Sequence, residues 1–313
     1  MGTAVSLPQG ASSRVTCQRF RSPREFRLAS SAPAERTAVR TIDIFVVLYR
    51  RRPEAAETLV TLSQIDLQSL GFDVEVHIWD NAASVHSPPA NGFLPFKWRY
   101  VTAPNNEPLS KVYNTLLRAS NRSYVIVFDQ DSSIDEYFFR SLAANVASAE
   151  ADVFVPIIKH DGSVISPGRL RWIKGAPLAD MKVNNILPSH FTAMMSGLCM
   201  KRAFLQRAGL RPFDERLRFY GVDTRFCRDL ARRGGRAYLH DAVLGHDSAL
   251  RSTMDPQTAL ERQIWLWQSW LRVFDMNIGE VIGIRCYLFW KAWRASRRAD
   301  TSLSFRELLA KVF

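Results

Sequence analysis

Tyr124, Val125, Ile126, Val127 and Phe128 form a short aromatic and β-branched run that stops abruptly at Asp129-Gln130-Asp131. A run of this length and composition suits a buried central strand better than a helix. Its polar end then falls where open α/β sheets bind ligands, in the crevice beyond the carboxyl ends of the strands. In an extended chain Asp129 and Asp131 point to the same side. Two carboxylates aimed at one point repel unless a cation or a shared proton sits between them. Oxygen ligands of this kind suit Mg²⁺ or Mn²⁺, and those ions suit a diphosphate. An Asp-x-Asp is also ordinary turn chemistry, so the pair alone leaves both readings open.

The flanking sequence alternates strand and helix patterns. Residues 42–48 read as a strand; Pro53 then opens a helix in which Ala55, Leu59, Leu62, Leu67 and Leu70 recur at roughly helical spacing until Gly71. Residues 72–79 form a second strand with Val74, Val76 and Ile78 on one face, ending at Asp80-Asn81-Ala82-Ala83-Ser84. After a short strand over 98–101, residues 105–120 read as a loop feeding a helix, with Lys111 and Asn114 near its start. Ser133 and Glu136 have capping-box spacing, which places Asp135 and Glu136 at a helix start and away from metal chemistry. Residues 153–158 continue the strand series into the tight turn Asp161-Gly162. This alternation predicts a mostly parallel sheet with helices on both faces.

The pattern then dissolves between residues 166 and 188, a length that points to a lid or substrate loop, or else a disordered insert. Residues 194–200 read as a strand broken at Ser196-Gly197, where glycine admits either a close ligand or a bulge. Phe226, Cys227, Leu230 and Ala231 make a helical stripe that puts Asp223 in a first turn, and a last strand over 238–244 ends at Gly245-His246.

Lys and Arg outnumber Asp and Glu by 42 to 30, a formal charge of +12, so an anionic partner is expected: membrane surface, nucleotide or nucleic acid. Cys17, Cys199, Cys227 and Cys286 lie far apart without C-x-x-C spacing, which argues against a zinc site or a disulfide framework and for a reducing, cytoplasmic setting. Residues 1–40 are rich in Ser, Ala and Arg without periodicity and are expected to be a disordered basic arm. After residue 250 the chain changes character: five of its eight tryptophans fall there, interleaved with arginines. No uncharged run in it reaches the roughly 18–20 residues that spanning a bilayer requires. Basic aromatic helices of this sort either lie in a headgroup layer, pack back on the domain or form an oligomer contact.

Taken in order, several junctions resemble the GT-A fold of the family-2 glycosyltransferases, and within it the bacterial rhamnosyltransferase-like enzymes. They are Val47-Leu48-Tyr49, Trp79-Asp80-Asn81-Ala82-Ala83-Ser84, Asn106-x-Pro108-x-Ser110-x-x-x-Asn114, Phe128-Asp129-Gln130-Asp131-Ser132, Ser196-Gly197, Val222-Asp223 and Gly245-His246, spread over residues 41–246. The resemblance implies a Rossmann-like mixed α/β sheet over residues 41–250 and a helical C-terminal extension over 251–313. It implies a nucleotide and donor site at Leu48, Tyr49, Asp80, Asn81, Lys111, Asn114, Asp129, Gln130, Ser196 and Gly197. Asp129, Asp131 and His246 would hold Mg²⁺ or Mn²⁺, and Asp223 would be the general base. The chain departs from the family pattern at Pro108, where glycine is usual, at Tyr220, often acidic, and at Trp267-Gln268-Ser269 in place of Arg-Asn.

The expected reaction is therefore inverting transfer of a sugar, rhamnose-like or another hexose, from a nucleotide-diphosphate donor to a cell-surface glycan or lipid-linked acceptor. Peripheral association with an anionic membrane at its cytoplasmic face, and a homo-oligomer, are further expectations. Two competitors remain: a nucleotidyltransferase acting on sugar phosphates, which would share the sheet and the carboxylates, and a basic nucleic-acid-binding protein. The latter has little support, because the arginines are scattered and no nucleic-acid module is recognisable.

Overall fold

A computed structural model describes residues 39–81, 86–103, 105–178, 182–246, 255–297 and 303–313. Most of the N-terminal arm and the Ala82-Ala83-Ser84 part of the second junction lie outside the described residues. Residues 38–313 form one compact unit.

In chain order the elements begin with β1 (Arg40–Leu48), α1 (Glu57–Leu62), β2 (Phe72–Asp80), β3 (Lys97–Thr102), α2 (Leu109–Ala119), β4 (Tyr124–Asp129), β5 (Ser132–Ser133) and α3 (Glu136–Ser148). They continue with β6 (Val153–His160), β7 (Ser163–Ser166), β8 (Gly168–Arg171), β9 (Lys174–Pro177), β10 (Asn185–Ile186), β11 (Phe191–Thr192), β12 (Leu198–Lys201) and α4 (Arg202–Arg207). The last are α5 (Val222–Arg232), β13 (Ala237–His246), α6 (Pro256–Val273), α7 (Ile278–Ala295) and α8 (Phe305–Val312).

The main sheet has the order β10-β13-β6-β12-β4-β1-β2-β3. β4, β1, β2 and β3 are parallel neighbours, and β6 is parallel to β13, while β12 runs antiparallel to both β4 and β6. The sheet is thus mixed. The reversal of β12 brings its beginning, just after Ser196-Gly197, opposite Val127 near the carboxyl end of β4.

Period-2 alternation divides the sheet's side chains between two cores. Val125 and Val127 of β4 join Phe45, Tyr113, Phe226 and Leu230 on one side, and Ile126 and Phe128 join Ile44, Leu59, Phe138 and Phe139 on the other. Each such fully buried side chain contributes about 1.5–3 kcal/mol. By the same alternation Asp129 belongs to the face covered by α2 and α5.

Three local expectations change. The helix after Pro53 is cut to a 3₁₀ turn at Pro53–Ala55 and α1; beyond it Asp66 accepts the amide of Ser69, a side-chain bond that competes with helix continuation. The cap of α3 is Asp135, whose carboxylate accepts the Phe138 amide, while Ser133 belongs to β5. Residues 166–188 are not a structureless loop. β8 and β9 form a hairpin that pairs through β8 with β11. The turn between β6 and β7 is as expected, with φ of +47° at Asp161 and +74° at Gly162, the double positive φ of a two-residue hairpin loop.

The C-terminal helices pack back on the domain. Trp267, Val273, Ile284, Leu288, Ala292, Leu308 and Val312 share one buried cluster with Phe213, Phe226 and Leu230. Arg225 and Arg228 of α5 reinforce this contact through ion pairs with Asp275 and Glu280.

Candidate active site

The parallel strands deliver three of the sequence-identified junctions to one edge. Leu48 at the end of β1 accepts the amide of Asn81, just past the end of β2, at 2.8 Å. The amide of Tyr49 donates to the Gln130 side chain at 2.8 Å, which fastens β1 to the turn after β4. The turn itself is gripped from below by Thr58, whose hydroxyl donates to the carbonyl of Asp129 and accepts the amide of Ser132 at 3.0 Å. Nothing in the local sequence singles out Thr58.

β5 then pairs antiparallel with the end of β13, setting Ser132 opposite His246. This register brings the backbone of His246 next to the Asp129-Gln130-Asp131 turn from more than a hundred residues along the chain.

Asp223 comes from the first turn of α5. Gly221, with φ +79°, ends the preceding loop in a left-handed conformation and starts α5. A side chain there would meet Val273 at 2.6 Å, so the helix start rests directly on α6. Asp223 accepts the Thr224 amide at 2.6 Å. Burial pushes its carboxyl pKa upward, and the hydrogen bonds from Thr224 offset only part of that.

Tyr113 of α2 is buried in the same cluster as Val127 of β4 and Phe226 of α5. Its phenol pKa lies well above the ordinary value, first because the ring is fully buried and then because the charges of Asp129 and Asp223 both act on it. α2 is locked in place on the same side: the Leu109 amide donates to the Arg218 carbonyl at 2.7 Å, and the Ser110 hydroxyl donates to the Leu217 carbonyl.

Several residues expected at the donor site hold it from behind. Asn114 is fully buried, and its amide donates to the Phe213 carbonyl at 2.8 Å and the Glu215 carboxylate at 3.0 Å. It anchors the loop leading to Asp223. Ser196 is also fully buried, with its hydroxyl 2.6 Å from that of Ser132 and accepting the Asp129 amide at 3.1 Å. Gly197 has φ +77°, and a Cβ there would meet Leu244 at 2.4 Å and Pro156 at 2.7 Å, so packing at this position requires glycine. Asp80 is buried and accepts the Tyr100 hydroxyl at 2.8 Å. Asn81 holds the loop before α2 through Asn106 and Glu107, each at 2.9 Å.

A cavity of about 260 Å³ opens beside the ends of β2 and β3, lined by Trp79, Thr102, Ala103, Glu107, Lys111, Val112 and Thr115. Lys111, at its lip, pairs with Glu107 at 2.8 Å.

A separate cluster of possible metal ligands, Asp43, Glu75 and His77, lies back along β1 and β2, away from the strand ends. His77 pairs with Asp43 at 2.9 Å, and Arg122 lies 3.4 Å from Asp43 and 3.9 Å from Glu75. Its charges are met within the protein, and it is distinct from the Asp129-Asp131 turn.

Residues 43–207, just over half of the chain, match the family described as glycosyl transferase family 2. The chain belongs to glycosyl transferase family 2. It has the mixed α/β sheet of the GT-A fold. Among solved structures, GalNAc-T7 with UDP, GalNAc and Mn²⁺ aligns with a TM-score of 0.53 at 14% identity, over 85% of this family-2 chain and 52% of that one. Staphylococcus aureus TarS aligns with a TM-score of 0.48 at 16% identity, over 83% of this chain and 44% of the other. The chain thus spans about half the length of these two structures or less. No curated protein matches the sequence significantly.

Proposed function

We propose that the protein moves a hexose, rhamnose or a similar sugar, from a nucleoside-diphosphate donor to a hydroxyl of a glycan or lipid-linked acceptor, with inversion at the anomeric carbon. The observation that carries this reading is the placing of the Asp129-Gln130-Asp131 turn at the sheet's strand ends, fastened to the end of β1 and set beside the backbone of His246. The base and ribose of the donor would use the cavity beside Trp79 and Lys111. GalNAc-T7, similar in fold, was crystallised with UDP and Mn²⁺, which accords with a diphosphate donor and a divalent ion.

The acceptor oxygen attacks the anomeric carbon, its proton passes to Asp223, and the bond to the diphosphate oxygen breaks with its electron pair leaving on the diphosphate. One displacement needs one base and no nucleophilic carboxylate. A positioned base of this kind is worth about 10²- to 10⁴-fold, and the raised pKa of Asp223 makes it a better proton acceptor once ionised. Asp129 and Asp131, whose carboxylate oxygens suit Mg²⁺ or Mn²⁺, would hold such an ion, with His246 as the neutral imidazole we assign to complete the set. When bound, such an ion supplies Lewis-acid neutralisation of the leaving diphosphate. The setting we assign is the cytoplasmic face of a membrane.

Purified enzyme is to be screened against a panel of nucleotide sugars with and without Mn²⁺, reading both donor-induced thermal stabilisation and released nucleoside diphosphate. Asp223→Asn is expected to abolish transfer while keeping the donor-induced shift. Unchanged turnover in that variant removes Asp223 from the mechanism, and release of pyrophosphate instead would make the enzyme a nucleotidyltransferase.

A further inference from the structure

α7 has two apolar faces. Ile284, Leu288, Ala292 and Ala295 are buried against the core. On the other side Ile278, Ile282, Phe289 and Trp293 are 75%, 57%, 52% and 41% exposed. Spacings of 4, 7 and 4 residues return to one side of a helix with about 3.6 residues per turn, so these four form a stripe about 22 Å long. A contiguous exposed apolar face of this extent marks a contact surface.

Its borders are cationic. Arg285 and Arg294 flank the stripe and are exposed. The Arg294 guanidinium lies 5.5 Å from the Trp290 ring centroid, and that of Arg297 lies 4.1 Å from Trp293. The one carboxylate of α7, Glu280, is taken by Arg228 of α5. The face therefore offers apolar area and positive charge, and Phe289 within it stands edge-on to Phe305 of α8 at 5.0 Å. Among the described residues no helix is long and apolar enough to cross a membrane, and half of the circumference of α7 is already committed to the core.

We propose that this face of α7 lies in the headgroup layer of an anionic lipid bilayer, the helix parallel to the surface, with the stripe in the acyl boundary and the arginines among lipid phosphates. A second copy of this chain fits less well: a two-fold contact would set the same arginines against each other, with no α7 carboxylate to receive them. The tip of the β8–β9 hairpin extends the surface, since Trp172, 57% exposed, stands edge-on to Tyr287 of α7 at 5.6 Å. Through β8 and β11 that hairpin reaches Thr192, whose hydroxyl is 3.4 Å from that of Thr224 beside Asp223. The membrane face is thereby continuous with the elements that frame the active site, which suits an acceptor presented by the same bilayer.

The test is flotation of the full-length protein with vesicles of phosphatidylcholine alone, or of phosphatidylcholine with one-third phosphatidylglycerol, and does not depend on transfer chemistry. Wild type is expected to float with the anionic vesicles, to float much less at high salt, and to stay behind with neutral ones. Two double variants, Ile278→Ser with Ile282→Ser and Arg285→Glu with Arg294→Glu, are each expected to lower partitioning at least about tenfold with unchanged circular-dichroism melting, since all four side chains are exposed. Equal flotation of wild type and both variants would assign the binding to another part of the chain and overturn the proposal. So would the absence of flotation together with a concentration-dependent dimer that the same variants abolish, because the stripe would then be an interface between copies.

Discussion

Asp223 is held where a carboxylate least favours its charge. Burial raises its pKa, so above its folded value the ionised group opposes folding, and that penalty is relieved as pH falls through the raised value. Transfer and stability should therefore respond oppositely to acid at this one residue. Turnover is expected to fall as pH drops through a value above the ordinary carboxylate range of about 3.9, while Asp223→Asn should melt no lower than wild type at neutral pH. A pH-rate profile beside a melting series checks both. A flat profile down to the ordinary range would mean that another group accepts the proton.

At the same scale the sequence conveyed residue identity better than residue role. The strand-end acids could be recognised because each ends a β-branched run, a local signal. Asn114, Ser196 and Gly197 sit in equally suggestive motifs, yet their surroundings are set by Phe213, Ser132 and Leu244, partners brought near only by tertiary folding. Thr58, which grips the turn, carries no local pattern at all.

Among the elements, α5 depends on α6 for its position. The left-handed Gly221 lies against Val273 and Ser269, two residues before Asp223. Gly221→Ala should cost about 1–3 kcal/mol through strain and overpacking and lower turnover by displacing the helix start, with donor affinity little changed. Chemical denaturation and a kcat-against-KM comparison read the two effects. Wild-type turnover in a stable Gly221→Ala variant would show that α5 has slack against α6. The strands and main helices were legible because their apolar periods are strong. The β8–β9 hairpin was not, because Gly, Arg and Lys dominate it and its order comes from β11, from Ile173 in the core and from Trp172 on α7. The tail's basic aromatic pattern was legible, but not that α7 would use one face for the core and leave the other open.

For the molecule as a whole, acid sensitivity comes in part from a buried histidine. His240 of β13 is buried beside Phe138 of α3, and burial lowers its pKa from 6.5 to about 4. The fold favours the neutral ring, so this contribution to stability is complete above 6.5 and is lost as pH falls from there towards 4. The loss is on the order of 3 kcal/mol. Urea midpoints measured across that window should drop in wild type and drop less in His240→Leu. An identical slope in both would place the acid sensitivity elsewhere.

The reversed strand β12 has a consequence for how such a protein can diversify. Because it runs against β4, the stretch before it enters the reaction edge from outside the parallel series, while β1, β2 and β3 reach that edge by their own ends. Insertions between β6 and β12 can therefore remodel one bank of the cleft without shifting the register of the other.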